Sequence, residues 1–327
     1  MILLTGSCGY IGSNVLYELI SSDHEIVCLD NFSNSSRDTL QKLEEALPSR
    51  IFFHEVDIKN KEPLFEILKN YEIDSIIHLA AYKSAIDSIL SPIKYYKNNL
   101  LGLLNLLDAC VQFSIDKFIF SSSAAVYGNQ TKLPIKEDAS LNPLNPYGFT
   151  KVYCEEILQE FKNSHEWFNF ISLRYFNPAG ADPSLSFGDL YSKNIFSAIL
   201  DSIFKKSKLT LYGSDLPTKD GFPVRDYIHI TDLAKSHIAA RETLLAESTS
   251  NIINIGTGQG SSLIELIDAF QLISGTNINY EVEKLRFGDP IASFADCERS
   301  FKVLGFKSKY NLYDMCNSAY EFRRKHQ

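Results

Sequence analysis

The chain has 327 residues, 45% hydrophobic and 22% charged, which suits one large domain or two coupled ones and gives no sign of disorder. Its formal net charge is -8 with Lys and Arg scattered, so it carries no electrostatic footprint for nucleic acid or an anionic membrane surface, and an anionic ligand needs a local site. The opening "MILLTGSCGY" is neither a signal peptide nor a membrane span, and no later run approaches about 18 apolar residues, which predicts a cytoplasmic protein. Cys8, Cys28, Cys110, Cys154, Cys297 and Cys316 lie far apart with no CxxC pair, so they read as reduced thiols and no metal site is expected.

In chain order, short apolar runs alternate with amphipathic stretches. "ILLT" (2–5) precedes a helical pattern over Ile11–Ile20, "EIVCLD" (25–30) one over Arg37–Leu47, and "IFFHEVD" (51–57) one over Lys61–Asn70. "SIIHLAA" (75–81) precedes Pro92–Val111, "KFIFSSS" (117–123) precedes Lys151–Asn163, and "FISLRYF" (170–176) closes the series. The strands do not alternate polar and apolar residues, the pattern of a sheet covered on both faces. The βαβαβ order predicts an α/β fold with a doubly wound parallel sheet. Past about residue 177, Pro and Gly punctuate the chain, with helical patterns near 192–206, 231–247 and 261–273. This part reads as a smaller region that covers the substrate: residues 1–177 form the first domain and 178–327 mainly the second, with some segments returning to the first.

The first motif is "LLTGSCGYIGSNVL", where Gly6, Gly9 and Gly12 join the first strand to the first helix. Glycines there let the backbone turn sharply and approach a pyrophosphate, which the helix N-terminus attracts. Asp30 ends the second strand 18 residues after Gly12, where a carboxylate accepts from an adenosine ribose and repels a 2′-phosphate. That favours NAD over NADP despite Arg37. A second strand–turn–helix, "IINIGTGQGSSLIELI", has a sufficient structural explanation, because Ser262 and Glu265 make a capping box.

"LNPLNPYGFTKVYCEEILQEF" puts Tyr147 and Lys151 four residues apart, on one helix face if Pro146 starts the helix. Spacing alone leaves them open as a packing aromatic and a surface lysine. However, "FIFSSSAAVYG" ends a strand in hydroxyls, and the carboxyl ends of the strands are where an open α/β sheet binds its ligand. Ser123 could then bond a reacting oxygen beside Tyr147. Bringing a tyrosine from about 10 to about 7 needs roughly 4 kcal/mol of preferential phenolate stabilisation. An ammonium about 6 Å away supplies roughly 3 kcal/mol at an effective dielectric near 20, and an oxidised nicotinamide could supply the rest. His78 and His229 lie in apolar strand contexts and read as satisfied core histidines. The Leu-rich "NNLLGLLNLLDAC" reads as a helix that covers the sheet or forms a dimer.

These segments resemble the extended short-chain dehydrogenase/reductases, and within them the UDP-hexose 4-epimerases of the UDP-galactose 4-epimerase type. The resemblance runs through "TGSCGYIGSN", "LDNFSNSS", "IIHLAA", "YYKNN", "FIFSSSAAVYG", "PYGFTK", "LRYFNPAGADP", "DGFPVRDYIHITDLA" and "NIGTG", nearly the whole chain. It implies a Rossmann-type first domain, Tyr147 as base, Lys151 as its activator and a nicotinamide-ribose ligand, and Ser123 as hydroxyl partner. By the same likeness Gly6, Gly9, Tyr10, Ile11, Gly12, Asp30, Asn31, Asp57, Ile58, Lys83, Asn98, Ser121 and Tyr175 match NAD-contacting positions. Asn177, Asn194, Tyr212, Arg225, Arg286 and Asp289 match positions that hold the UDP-sugar, and a homodimer is implied. Planar guanidinium groups suit a diphosphate, although Arg225 taken singly reads as an ion pair with Asp226.

The chemistry implied is redox-neutral: Tyr147 takes the proton of the sugar 4-hydroxyl, NAD accepts hydride from carbon 4, the 4-keto sugar turns over, and hydride returns to its other face. NAD should therefore stay bound between turnovers. Ser293 stands where members restricted to glucose and galactose carry a bulky tyrosine, which implies room for a 2-acetamido group. "LYSKNIFS" lacks the proline usual before the asparagine of this segment, which weakens the match at Asn194. Rival readings are a UDP-glucuronate or UDP-pentose epimerase, a sugar-nucleotide 4,6-dehydratase and a non-catalytic NAD sensor. The dehydratase lacks support because Ala124 and Ala125 occupy the places of its acidic pair, and the sensor has no need of Tyr147, Lys151 and Ser123.

Overall fold

The computed structural model describes residues 1–21, 24–46, 50–190, 194–286 and 289–327. Strands β1 (Ile2–Thr5), β2 (Ile26–Asp30), β3 (Ile51–Glu55), β4 (Ser75–His78), β5 (Lys117–Ser123) and β6 (Asn169–Tyr175) form on the apolar runs. Between them lie α1 (Tyr10–Ser21), α2 (Arg37–Ala46), α3 (Lys61–Leu68), α4 (Ala85–Leu90), α5 (Pro92–Phe113) and α6 (Pro146–Ser164). Next come β7 (Asn177–Ala179), α7 (Ile195–Phe204), β8 (Leu209–Tyr212), β9 (Val224–Arg225), β10 (Tyr227–His229) and α8 (Ile230–Ala246). The chain then forms β11 (Asn251–Ile255), β12 (Ser261–Ser262), α9 (Leu263–Ser274), β13 (Tyr280–Glu283), β14 (Ala292–Ser293), α10 (Glu298–Leu304) and α11 (Leu312–Lys325). Leu47, expected to end the second helix, and residues 192–193 of the pattern near 192–206 lie outside the described residues.

Seven parallel strands make the main sheet, in the order β11-β6-β5-β4-β1-β2-β3. Side chains alternate between its faces. Ile2 and Leu4 pack with Leu16 and Leu19 of α1 and Leu233 of α8. Leu3 packs on the other face with Leu64 of α3, Leu103 of α5 and Leu158 of α6. β1, β2, β4 and β6 are buried throughout. β3 is not, because it lies at the sheet edge with one flank in solvent.

After β1 the chain steps to β2 and β3 on one side, then crosses to put β4 on the other side of β1. The carboxyl ends of β1 and β4 therefore flank the switch-point crevice where such sheets bind ligands. β11 and α8 return to the main sheet from beyond residue 178, α8 packing along α1. A third apolar cluster joins α7, α9 and α11 around Phe196, Ile199, Leu266, Phe270 and Met315. The turn after β11 leads into a reciprocal cap in which Ser262 and Glu265 each bond the other's backbone N–H, so the sequence explanation of that glycine-rich turn holds.

Candidate active site

The cofactor side starts where β1 hands over to α1. Gly6 has φ +72, and a Cβ there would lie 2.8 Å from the Ala80 nitrogen; one on Gly12 would lie 2.0 Å from the Gly6 carbonyl. Only glycine allows this close path, which brings the loop and the start of α1 to the crevice. Asp30 is buried and braces the loop: its carboxylate accepts from the Cys8 N–H at 2.9 Å, the Phe32 N–H at 2.9 Å and the Ser35 hydroxyl at 2.8 Å. An ionised carboxylate has about four acceptor positions, so a ribose hydroxyl still finds one. Arg37 lies over the Phe32 ring at 4.5 Å and pairs with Glu55, so its charge is already matched.

Asn31 donates to Asp57 at 3.1 Å, joining the ends of β2 and β3, and the Ile58 carbonyl receives the Asn105 amide at 2.9 Å. Tyr10 donates to the Gly180 carbonyl at 2.7 Å, tying the loop to the second region, and Lys83 lies 6.0 Å from the Tyr10 ring centre. Ile11 packs partly buried on the α1 face of the sheet. A glycine cradle, a helix start and an acidic strand end are thus assembled at one crevice, and these residues fit NAD.

On the proton-transfer side, Pro146 does open α6, with Asn145 capping it by accepting from the Gly148 N–H at 2.9 Å. Three consecutive residues of β5 meet this helix. The Ser121 carbonyl accepts from Lys151 Nζ at 2.5 Å, the Ser122 hydroxyl donates to Glu155 at 2.5 Å, and Ser123, whose hydroxyl accepts from the Ala125 N–H at 3.2 Å, lies close enough to Tyr147 to lower its pKa. Lys151 is buried with Nζ 5.9 Å from the Tyr147 ring centre and 4.7 Å from that of Phe120. The electrostatics depart from the simple pair expected. Burial pushes Tyr147 up to about 12, against the lowering by Ser123, and burial lowers Lys151 to about 8. Desolvation is the largest cause of both shifts in the protein alone.

Beneath this set, Tyr175 is buried with its hydroxyl bonded to His237. His237 Nδ1 bonds the Leu233 carbonyl at 2.8 Å, so Nε2 accepts and Tyr175 donates. Tyr175 thus supports the floor, its one O–H given to His237. His78 is a satisfied core histidine, bonded to Thr5 at 2.8 Å and held neutral by burial, down to about 3. His229 is another, between Ser318 and the Thr231 N–H and stacked on Tyr310.

Asn98 of α5 donates to Asn99, and Asn99 donates to the Tyr82 carbonyl and to Thr150. Thr150 in turn donates to the Tyr147 carbonyl at 2.7 Å. Asn99, Glu155 and Arg174 escaped the sequence reading. Asn99 sits in the "NN" pair, and Glu155 continues the four-residue spacing from Tyr147 through Lys151.

The residues matched to UDP-sugar positions come from separate segments. Arg225 makes no pair with Asp226: that carboxylate is consumed by the backbone N–H groups of Thr257, Gly258 and Ala295 and the Thr257 hydroxyl. Arg225 Nη1 instead bonds the Val224 carbonyl at 2.9 Å, and burial lowers its pKa. Arg286 lies over the Tyr212 ring at 4.6 Å and pairs with Asp289 at 2.9 Å. Ser293 is buried on β14, in register with Arg225 on β9. Asn177 donates to the Asp226 carbonyl at 2.9 Å. Asn194 is the N-cap of α7, accepting from the Ser197 N–H at 2.9 Å and donating to Asp189 at 2.9 Å.

A doubly wound sheet with a glycine-rich first turn, an acidic second strand end and a Ser–Tyr–Lys set at the end of β5 defines a short-chain dehydrogenase/reductase of the extended type. The model of the NAD dependent epimerase/dehydratase family matches residues 2–256. The chain belongs to this family, and within it to the UDP-hexose 4-epimerase group. It is 41% identical to the UDP-glucose 4-epimerase of Dictyostelium discoideum, over 98% of this chain and 95% of that protein. The UDP-glucose-4-epimerase of Stenotrophomonas maltophila, solved with bound NAD and formylated UDP-arabinopyranose, superposes with TM-score 0.96 at 35% identity, covering 99% of this chain and 98% of that one. The UDP-Glc/GlcNAc 4-epimerase of Campylobacter jejuni superposes with TM-score 0.87 at 35% identity, covering 99% of each chain.

Proposed function

We infer that the chain interconverts UDP-glucose and UDP-galactose, and UDP-GlcNAc and UDP-GalNAc, by inverting carbon 4 of the sugar. The observation that carries this is the row Ser121–Ser122–Ser123 set against Tyr147, Lys151 and Glu155 at the mouth of the cofactor crevice. When bound, NAD accepts and returns the hydride of carbon 4. Tyr147 removes the 4-hydroxyl proton and gives it back after the sugar has turned, with Ser123 bonding the same oxygen. Lys151 keeps a positive charge beside the forming phenolate, against the burial that pushes Tyr147 up to about 12. Arg225 and Arg286 hold the diphosphate while the sugar swings between its two faces, so binding energy is used away from the reacting carbon. The region from residue 178, apart from α8 and β11, serves as the substrate-binding part.

The acetylated pair follows from Ser293, whose side chain is small and lies beside Arg225; the likeness to the Campylobacter jejuni enzyme agrees. The test is to incubate purified protein with each UDP-sugar, UDP-glucuronate included, without added NAD, and to identify products by NMR. Conversion of all four hexoses is expected. Turnover of the non-acetylated pair alone sinks the Ser293 reading, and turnover of UDP-glucuronate alone sinks the hexose reading.

The chain acts as a homodimer. α5 covers the sheet with Leu103, Leu106 and Leu107 and exposes Ile93, Leu101, Leu104 and Val111 on its other side, while α6 exposes Phe149 and Tyr153. Tyr153 lies near both Tyr96 and Phe149, so the two helices share one apolar face, and such a face marks an interface. A monomer mass by light scattering at micromolar concentration would overturn this.

A further inference from the structure

The second glycine-rich turn, "IGTGQG" (255–260), lies between a strand and a helix like the first, but the Ser262–Glu265 cap accounts only for the start of α9. What the glycines serve is shown by Asp226, which is fully buried. Its Oδ1 accepts from the Thr257 N–H at 2.8 Å and the Thr257 hydroxyl at 2.6 Å, and its Oδ2 from the Gly258 N–H at 3.0 Å and the Ala295 N–H at 3.1 Å. Gly258 has φ +77, and a Cβ on Gly256 would lie 2.5 Å from Asp226 Oδ2. Successive N–H groups turned to one side make a concavity of the kind that binds phosphate. Here a carboxylate of the protein itself fills it.

A buried carboxylate is costly unless it is well bonded, and the backbone of Asp226 shows what this one joins. Its N–H donates to the Ser293 carbonyl at 2.9 Å, and its carbonyl accepts from both the N–H and the side-chain amide of Asn177, each at 2.9 Å. Arg225 precedes it in the chain and stands in register with Ser293. Residues of β7, β9 and β14 thus meet at Asp226, whose side chain is anchored just past the end of β11 in the main sheet.

We propose that the second glycine-rich turn is an internal anion cradle and that Asp226, held in it, is a positioning residue for the nucleotide sugar: it sets Arg225, Asn177 and Ser293 in one arrangement before the substrate enters. The inference rests on the UDP-sugar-binding reading of those three residues. Segments far apart in the chain need a common anchor if a guanidinium fork is to meet a diphosphate squarely. An arrangement made in advance removes part of the cost of binding. The bonds of Asp226 reach neither the Gly6 turn nor Tyr147 and Lys151, so its loss falls on substrate binding and spares cofactor and proton transfer.

The experiment is calorimetry of UDP binding together with steady-state kinetics on UDP-glucose and UDP-GlcNAc for the wild type, Asp226→Asn, Thr257→Val, Thr257→Ser and Arg225→Lys, with released NAD followed by absorbance and folding by circular dichroism. An amide nitrogen cannot accept, so Asp226→Asn leaves N–H groups of the cradle facing a donor. UDP affinity should fall and KM rise about tenfold or more, while NAD content holds and kcat changes less. Thr257→Val removes one hydroxyl bond and should weaken UDP and raise KM roughly threefold; Thr257→Ser, which keeps the hydroxyl, should return both to wild-type values. If Asp226→Asn does not fold, the Thr257 pair decides alone, and equal values for Val and Ser then overturn the proposal. A folded Asp226→Asn with wild-type UDP affinity and KM, or with a loss confined to kcat or to NAD content, also overturns it. Arg225→Lys separates the two readings: unchanged UDP affinity there refutes the placing of the nucleotide and the proposal with it, whereas weakened UDP binding beside an unaffected Asp226→Asn removes only the role of Asp226.

Discussion

On the proton-transfer side, Tyr147, Lys151 and Glu155 stand on one helix, and each meets one of three consecutive residues of a single strand. On the nucleotide side, Arg225, Arg286, Asp289 and Ser293 come from β9, a loop and β14, and Arg286 and Asp289 satisfy each other across the protein surface. The first is rigid because its parts are covalent neighbours on two regular elements packed face to face. The second is assembled from segments far apart in the chain, and several of its groups bond one another. Under the proposed function, chemistry that tolerates no displacement falls to the rigid side, and substrate binding falls to the other.

The strongest way to break this contrast is Tyr147→Phe, which removes one oxygen and leaves the packing. We expect kcat to fall by about 10²–10⁴-fold with NAD still bound, checked by product NMR and the absorbance of cofactor released on denaturation. Loss of NAD in that variant would mean that the rigid side serves cofactor binding as much as proton transfer.

Arg225→Lys tests the opposite side. Lysine keeps the charge but loses the planar fork, so KM should rise about tenfold or more while kcat changes less, the signature of lost uniform binding. An equal fall in kcat with KM unchanged would place Arg225 among groups used only in the transition state.

The same contrast explains what could be read in advance. The first six strands and the grouping of Ser123, Tyr147 and Lys151 were legible because their signals are local: apolar runs and a four-residue spacing beside a strand end. The cap at Ser262 was legible for the same reason. The start of α6 at Pro146 was only a condition of that reading, whose helical pattern ran over Lys151–Asn163. Arg225 taken singly read as a partner of Asp226, and the resemblance alone turned it toward the substrate; adjacency in sequence says nothing about which side of a strand each charge faces, and the Asp226 carboxylate is taken up by Thr257, Gly258 and Ala295. Glu155 and Arg174 were missed because their pairing needs β6 and α6 to be brought together. Tyr147 and Lys151 were judged by their mutual attraction, yet burial moves both pKa values the other way.

Ser293→Tyr sharpens the account of the substrate side. A ring on β14 beside Arg225 should cut kcat/KM for the two acetylated sugars by roughly 10–100-fold and leave UDP-glucose and UDP-galactose within a few-fold. Equal losses on both pairs would mean that the ring blocks the diphosphate rather than the sugar.

The smallest effect expected is one of stability. Burial lowers Lys151 from 10.5 to about 8, so between those pH values the unfolded chain binds more protons and stability rises with pH; below that window the folded state bears the full cost of a buried charge. At pH 7 this cost is about 3 kcal/mol, and the lost bond to the Ser121 carbonyl offsets about 1 of it in a Lys151→Met variant. That inactive variant should melt a few degrees higher than the wild type at pH 7, with the gap closing as pH approaches 10. A variant that melts lower would show that the proton-transfer side is held together by its lysine, whereas a higher melting point means that its rigidity is maintained against a standing electrostatic cost.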